Sequence, residues 1–170
     1  MPIEYVELRK ESIKDGSFET ARTIAQELLN ILNRQDIQDK IRETDVPNAH
    51  STAIQKIILS DVKGLGFKSE QNGLFARYAC SGLRPDYFNS KAKILFEVER
   101  GKTRMNNMDI LDLWKCHICK EARYLSLMVP KARPQKGRLV PRFDQTKNML
   151  ATFFQEGNHV NVDAVFLFGY

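Results

Sequence analysis

The sequence predicts an α/β domain, a mixed central β-sheet flanked by α-helices. Ala53, Ile54, Ile57, Ile58 and Val62 trace one face of a helix. Between Phe67 and Glu99, short β-prone runs are punctuated by Asn72-Gly73 and Ser81-Gly82, which are turn signals. An apolar strand over 92–99, a helical stretch and a second apolar run, YLSLMV over 124–129, then form a strand, helix, strand crossover. Hairpins make antiparallel neighbours and right-handed crossovers make parallel ones, so the sheet is mixed.

The elements follow in chain order. Ser17 caps a helix in which Ala21, Ile24, Ala25, Leu28, Ile31 and Leu32 recur at helical spacing, and a polar stretch to Asp45 continues or turns it. Pro47 breaks the chain before the second helix, which stops at Gly64 and Gly66. FKSE, QNG and LFARYAC read as a hairpin, LRPDYF as the next strand, and AKILFEVE as the central one. Asn106 or Asn107 caps a helix with Leu111, Trp114, Ile118 and Ala122 on its inner stripe. KARPQKGRLVPR is a basic loop, and a helix near 145–155 and a strand, VDAVFLFG, complete the order. The chain divides into a helical extension over 1–46, a core over 47–130 and a basic loop, helix and strand over 131–170, all one domain.

Composition sets the outer bounds. At 170 residues, 42% hydrophobic and 28% charged, the chain suits a single globular core. No apolar run reaches the roughly 18 residues of a membrane span, and MPIEYVELRKE lacks the apolar centre of a signal peptide, so a cytoplasmic protein is expected, without membrane partners. Three cysteines, Cys80, Cys116 and Cys119, are too few for a disulfide scaffold. CHIC, 116–119, is half a zinc site, but Cys80, His50 and His159 are isolated, so buried thiols on a core helix are expected, with Trp114 beside them. The net charge of +5 permits a polyanionic partner.

The chemistry is concentrated in RPDYFNSKAKILFEVERGKT. Strand alternation puts Lys93, Leu95, Glu97 and Glu99 on one side and Ile94, Phe96, Val98 and Arg100 on the other. Two neighbouring carboxylates in an apolar strand raise each other's pKa unless a cation joins them, and hard divalent ions such as Mg²⁺ favour carboxylate oxygens. A hairpin brings Asp86 beside Glu97. Cations follow at Arg100, Lys102 and Arg104, and the later loop adds Lys131, Arg133, Lys136, Arg138 and Arg142 without an acid. A phosphate backbone suits such a rim.

Pro85-Asp86 followed by Glu97-Val98-Glu99 resembles the motif of the PD-(D/E)XK nucleases, the restriction-endonuclease-like superfamily. The last position departs from the pattern, with Glu99 where Lys is usual, and is similar to the two-glutamate variant of BamHI-type restriction enzymes. The order of elements from the helix at Ala53 to the strand at Val129 also matches, over about half the chain. The resemblance implies a restriction-endonuclease-like fold of core order αβββαβ with a helical N-terminal extension. It implies a metal-dependent DNA endonuclease of restriction or repair type. Asp86, Glu97 and Glu99 would be catalytic, with Asp86 and Glu97 holding Mg²⁺, for which Mn²⁺ can substitute. Arg84, Arg100, Lys102, Arg104, Arg133, Lys136 and Arg138 would contact DNA, expected double-stranded.

Lys93 and Lys102 are the candidates to stand in for the missing Lys, and Asp61 and Gln55 for a further polar group from the first core helix. Ser17 to Leu32 offers a homodimer surface, or else packs on the sheet. Two rival readings accompany the nuclease: a nuclease-like module that binds DNA or protein without cutting, and a structural protein whose acidic strand pairs with nearby surface cations.

Overall fold

The computed structural model describes residues 2–13, 15–46, 49–69, 73–100, 107–135 and 137–170. Its centre is a six-stranded mixed sheet of β1 (Glu4–Arg9), β2 (Lys68–Ser69), β3 (Tyr87–Asn89), β4 (Ile94–Val98), β5 (Tyr124–Val129) and β8 (Ala164–Gly169). The spatial order is β1-β8-β5-β4-β3-β2. β4, β5 and β8 run parallel, and β1, β3 and β2 join their neighbours antiparallel. The three parallel strands are buried along their whole length, as expected of strands covered on both faces.

Helices α1 (Gly16–Leu32), α2 (Gln35–Thr44) and α3 (Ser51–Gly64) cover one face, and α4 (Met108–Ile118) and α5 (Arg142–Ala151) the other. Phe18, Ala21, Ala25, Leu28 and Leu32 of α1 pack with Phe96, Tyr124, Phe166 and Phe168 of the sheet. α1 therefore lies on its own chain's sheet, which consumes the apolar face considered for a dimer. Asp15, rather than Ser17, caps α1: its carboxylate accepts from the Phe18 N–H at 3.1 Å and from Ser17 Oγ at 2.7 Å.

Several expected elements differ in detail. The N-terminal region is not a helical extension: residues 4–9 form an edge strand, and α1 and α2 belong to the core. FKSE does not pair with LFARYAC; β2 pairs with β3, and 74–80 form turns anchored by buried Phe75. Asn72 lies outside the described residues, as do Pro47 and Asn106. Lys93 has φ 58 and belongs to the turn before β4, so it leaves the strand face shared by the glutamates. The basic loop is a hairpin of β6 (Ala132–Gln135) and β7 (Arg138–Pro141), turned at Gly137 with φ 75. Cys116 and Cys119 are buried, but Trp114 is 37% exposed and lies outside the core.

α4 departs furthest from its sequence pattern. Leu111 and Ile118 are only partly buried, while Asp109, Asp112, Leu113, Lys115 and Cys116 face inward. The helix turns two acids and a lysine toward the end of β4, where Glu97 points.

Candidate active site

The β3–β4 hairpin builds the site. Tyr87 pairs with Phe96 and Asn89 with Ile94, so continuing the register places Asp86 opposite Glu97. The Asp86 N–H donates to Glu97 Oε2 at 3.2 Å, and Asp86 Oδ2 accepts from the Val98 N–H at 2.8 Å. Alternation along β4 sends Ile94, Phe96 and Val98 into the core under α1–α3 and Leu95 into the core under α4. Glu97 lies on the α4 side, where its Oε1 accepts from Lys115 Nζ at 2.9 Å.

Lys115 is the centre of the cluster. Its ammonium also donates to Asp112 Oδ1 at 2.9 Å, one turn back along α4, and the residue is 7% exposed. Asp112 Oδ2 is buried with no hydrogen-bond partner among the described residues. Asp109 is buried in the preceding turn and accepts from Thr146 Oγ1 of α5 at 3.3 Å. Glu99 is half-buried, its backbone fixed by an N–H bond to Met128 O at 2.8 Å and by Tyr170 Oη donating to its carbonyl at 3.1 Å. Asp86, Glu97, Glu99 and Asp112 thus share the field of one ammonium.

That imbalance appears in their proton affinities. Burial, reinforced by Asp112 and Asp86, raises Glu97 well above the usual carboxylate range, against the pull of Lys115. Glu99 is pushed up to about 8 by burial and by the charges of Asp112 and Asp86. Asp112 rises to about 6, mainly through burial. Asp86 is raised by burial, against the Val98 N–H, Lys115 and a hydrogen bond with the Gln55 side chain. Burial alone would favour a neutral Lys115, but Glu97 and Asp112 together outweigh it and keep the ammonium charged. Among the described residues the four carboxyls share one cation, and the excess is relieved either by proton uptake, as the raised affinities of Glu97 and Glu99 show, or by a second cation.

The donor set is carboxylate oxygen, which suits Mg²⁺ or Mn²⁺. Among the described residues no three His, Cys, Asp or Glu side chains are grouped to hold a metal ion, and Lys115 bonds to both Glu97 and Asp112. Asp86 and Glu97 remain adjacent, and a Mg²⁺ site built on one or two carboxylates plus water and phosphate needs no more from the protein.

Of the two polar candidates on α3, Gln55 reaches Asp86, and its backbone carbonyl accepts from Tyr87 Oη at 3.0 Å. Asp61 instead pairs with Arg34 at 2.5 Å. Lys115 and Asp112 were not anticipated as site residues; the only sequence signal was an acid and a cation three apart on a helix.

The anticipated basic rim is divided. Arg100 is buried, donates to the carbonyls of Ala49 and Val46, and pairs with Asp45 at 2.9 Å. Arg133 holds the same Asp45 through both terminal guanidinium nitrogens, at 2.6 and 2.5 Å, and lies over the Tyr170 ring. Both are fasteners inside the fold, because a carboxylate brought close by folding competes better than a distant phosphate. Arg84 and Arg138 are exposed. Lys102, Arg104 and Lys136 lie outside the described residues. Among the described residues no helix is long and apolar enough to cross a membrane.

No protein-family model matches the chain, and no curated protein sequence does. Among solved structures the chain is similar to the restriction endonuclease BglII in its crystal structure with a DNA 16-mer. The identity is 15%, the TM-score 0.49, and the match covers 99% of this chain and 78% of that one.

Proposed function

We propose that the protein is a metal-dependent endonuclease that hydrolyses phosphodiester bonds of double-stranded DNA, in a restriction or repair setting. The observation that supports this most is the gathering of Asp86, Glu97, Glu99 and Asp112 around the ammonium of Lys115. A fold that needed only stability would fill this position with apolar side chains, since buried ion clusters seldom add stability.

Asp86 and Glu97 would hold Mg²⁺, or Mn²⁺ in its place, and the bound ion would supply Lewis acidity that offsets charge on the phosphate. Glu99, on the same strand face, would orient the attacking water or accept its proton, the latter where Glu99 is itself ionised, above about pH 8 or beside a second cation. Lys115 fixes Glu97 and Asp112 and contributes the positive charge that the Glu-Val-Glu segment lacks, a role that neither Lys93 nor Lys102 is needed for. Arg84 and Arg138 contact the DNA backbone, with Lys102, Arg104 and Lys136 as further contacts. Because one site cuts one strand, a homodimer accounts for cutting both.

Plasmid cleavage tests the reading. Native protein with Mg²⁺ or Mn²⁺ should nick or linearise the plasmid, chelation should stop it, and Asp86→Ala or Glu97→Ala should each reduce the rate by at least about 100-fold. Unchanged cutting by both variants would remove these residues from the site. A second reading, a DNA-binding module without catalysis, draws on the Lys115 bonds to both Glu97 and Asp112. It gains if duplex binding strengthens as salt falls while no divalent metal elicits cleavage.

A further inference from the structure

The β6–β7 hairpin has two unlike faces. Register pairs Arg133 with Val140 and Gln135 with Arg138 on one face, and Ala132 with Pro141 and Pro134 with Leu139 on the other. The first face, polar except for Val140, is tied down: Arg133 grips Asp45, and Gln135 Oε1 accepts from Arg142 at 2.7 Å. The second presents Pro134, Leu139 and Pro141 to solvent, with Leu139 at 73% exposure. The segment from 131 to 142 holds no acidic residue; of its described cations Arg138 is exposed, while Arg133, Arg142 and Lys131 are engaged within the fold.

The ribbon is rooted beside the acid cluster. Arg133 Nε donates to the Arg100 carbonyl at 3.3 Å, and Tyr170, which takes a bond from Arg133 at 3.4 Å, donates to the Glu99 carbonyl. One end of the hairpin is thus fixed to the strand that carries Glu97 and Glu99, and the other projects with Arg138 and Leu139. A two-stranded ribbon fits the major groove of duplex DNA, about 12 Å wide, where apolar side chains contact thymine methyl groups and Arg reaches guanine or phosphate. Pro134 and Pro141 lack N–H donors, which disfavours edge pairing with a second copy.

We propose that the β6–β7 ribbon is the sequence-reading element of the protein, entering the DNA major groove with Leu139 against base edges and Arg138, on the opposite face, reaching a flanking phosphate. The proposal rests on the DNA-acting reading above but not on catalysis. The partner is inferred from the exposed Arg138 on a segment without acids, together with the exposed apolar face, and the ribbon's anchored root supplies the rigidity that base discrimination needs.

The test is selection of bound duplexes from a random-sequence library, with native protein, Leu139→Ala and Arg138→Gln, alongside titration of one selected duplex at several salt concentrations. Both positions are exposed, so circular dichroism should show both variants folded. Native protein should enrich a motif. Leu139→Ala should lose about tenfold or more in discrimination at one or two positions of it while keeping low-salt affinity within about twofold. Arg138→Gln should lower the salt slope by about one, with base preferences unchanged. Enrichment of the same motif by all three proteins with equal affinity overturns the ribbon's role, even if the protein cuts DNA. Loss of a dimer in Leu139→Ala by light scattering, with DNA selection unchanged, assigns the apolar face to a second copy and overturns it too. Native protein that binds and selects DNA but never cuts refutes the nuclease reading and leaves the ribbon standing.

Discussion

The two faces of the sheet are built from alternate residues of the same strands, yet they solve different problems. Under α1–α3, Ile94, Phe96, Val98, Tyr124, Met128, Phe166 and Phe168 meet Phe18, Ala25, Leu28, Ile54 and Ile58 in an apolar layer. Its buried polar groups include Asn89, which donates to the Leu65 carbonyl, Arg100, which donates to the Ala49 and Val46 carbonyls, and Ser126, whose Oγ has no partner among the described residues. Under α4, Leu95, Leu125, Leu127 and Leu167 begin a similar layer with Leu113 and Cys116, but at the end of β4 it gives way to Glu97, Asp112 and Lys115. Non-directional burial organises the first face. The second contains groups whose desolvation opposes folding, held by a few directional bonds.

The contrast can be broken or sharpened by substitution. The largest expected effect is from Lys115→Met, which strands Glu97 and Asp112 as buried acids and should destabilise by about 3–5 kcal/mol in urea melts. Replacing all three together, Glu97→Leu, Asp112→Leu and Lys115→Met, should restore stability to within about 1 kcal/mol of native or above it while eliminating cleavage. A triple variant as unstable as Lys115→Met would mean the cluster holds the fold together. On the apolar face, Ile58→Ala should cost about 2–5 kcal/mol through its cavity. DNA binding, measured under conditions where the variant is folded, should be unaffected.

A smaller effect separates the faces by pH. Asp112 has its folded pKa raised to about 6 from 3.8. The native state therefore binds the proton more tightly than the unfolded chain, and this contribution, present below about pH 4, is lost as pH rises through about 6. Asp112→Asn should flatten that fall in thermal melts and leave the protein relatively more stable above pH 6; an unchanged pH profile would show that Asp112 is not charged at cost. Smallest of all, Asp15 at the α1 cap is lowered to about 2 by its bonds to Ser17 and Phe18 and by Arg123. Its contribution has the opposite sign, present above about pH 4 and lost as pH falls through about 2. Asp15→Asn, which retains a capping oxygen, should lower Tm slightly at neutral pH and remove that acid-side loss.

The Asp86–Glu97 pairing was legible because a hairpin register and the two-residue alternation of a strand are local rules. The parallel crossover to β5 was legible for a related reason, since an apolar run, a helix and another apolar run leave few topologies. α4 was misread because Leu111, Trp114 and Ile118 form a plausible apolar stripe, while the helix is rotated to turn Asp112 and Lys115 inward. Hydrophobicity is a poor guide to facing where the buried groups are ions. Arg100 and Arg133 looked like a free basic rim because their shared partner, Asp45, lies 88 residues from Arg133. The strand over 4–9 was missed because its side chains are only partly buried at a sheet edge, which weakens the alternation.

By itself the sequence determined the α/β class, the central strand and the meeting of Asp86 with Glu97, because helical and strand periodicities and turn chemistry act over a few residues. Only the tertiary structure decided that Lys115 and Asp112 join them, that Gln55 rather than Asp61 reaches Asp86, and that Arg100 and Arg133 serve the fold. Each of these depends on the rotation of a helix or the meeting of distant segments, where burial, charge and hydrogen bonding are settled together and no local pattern records the outcome.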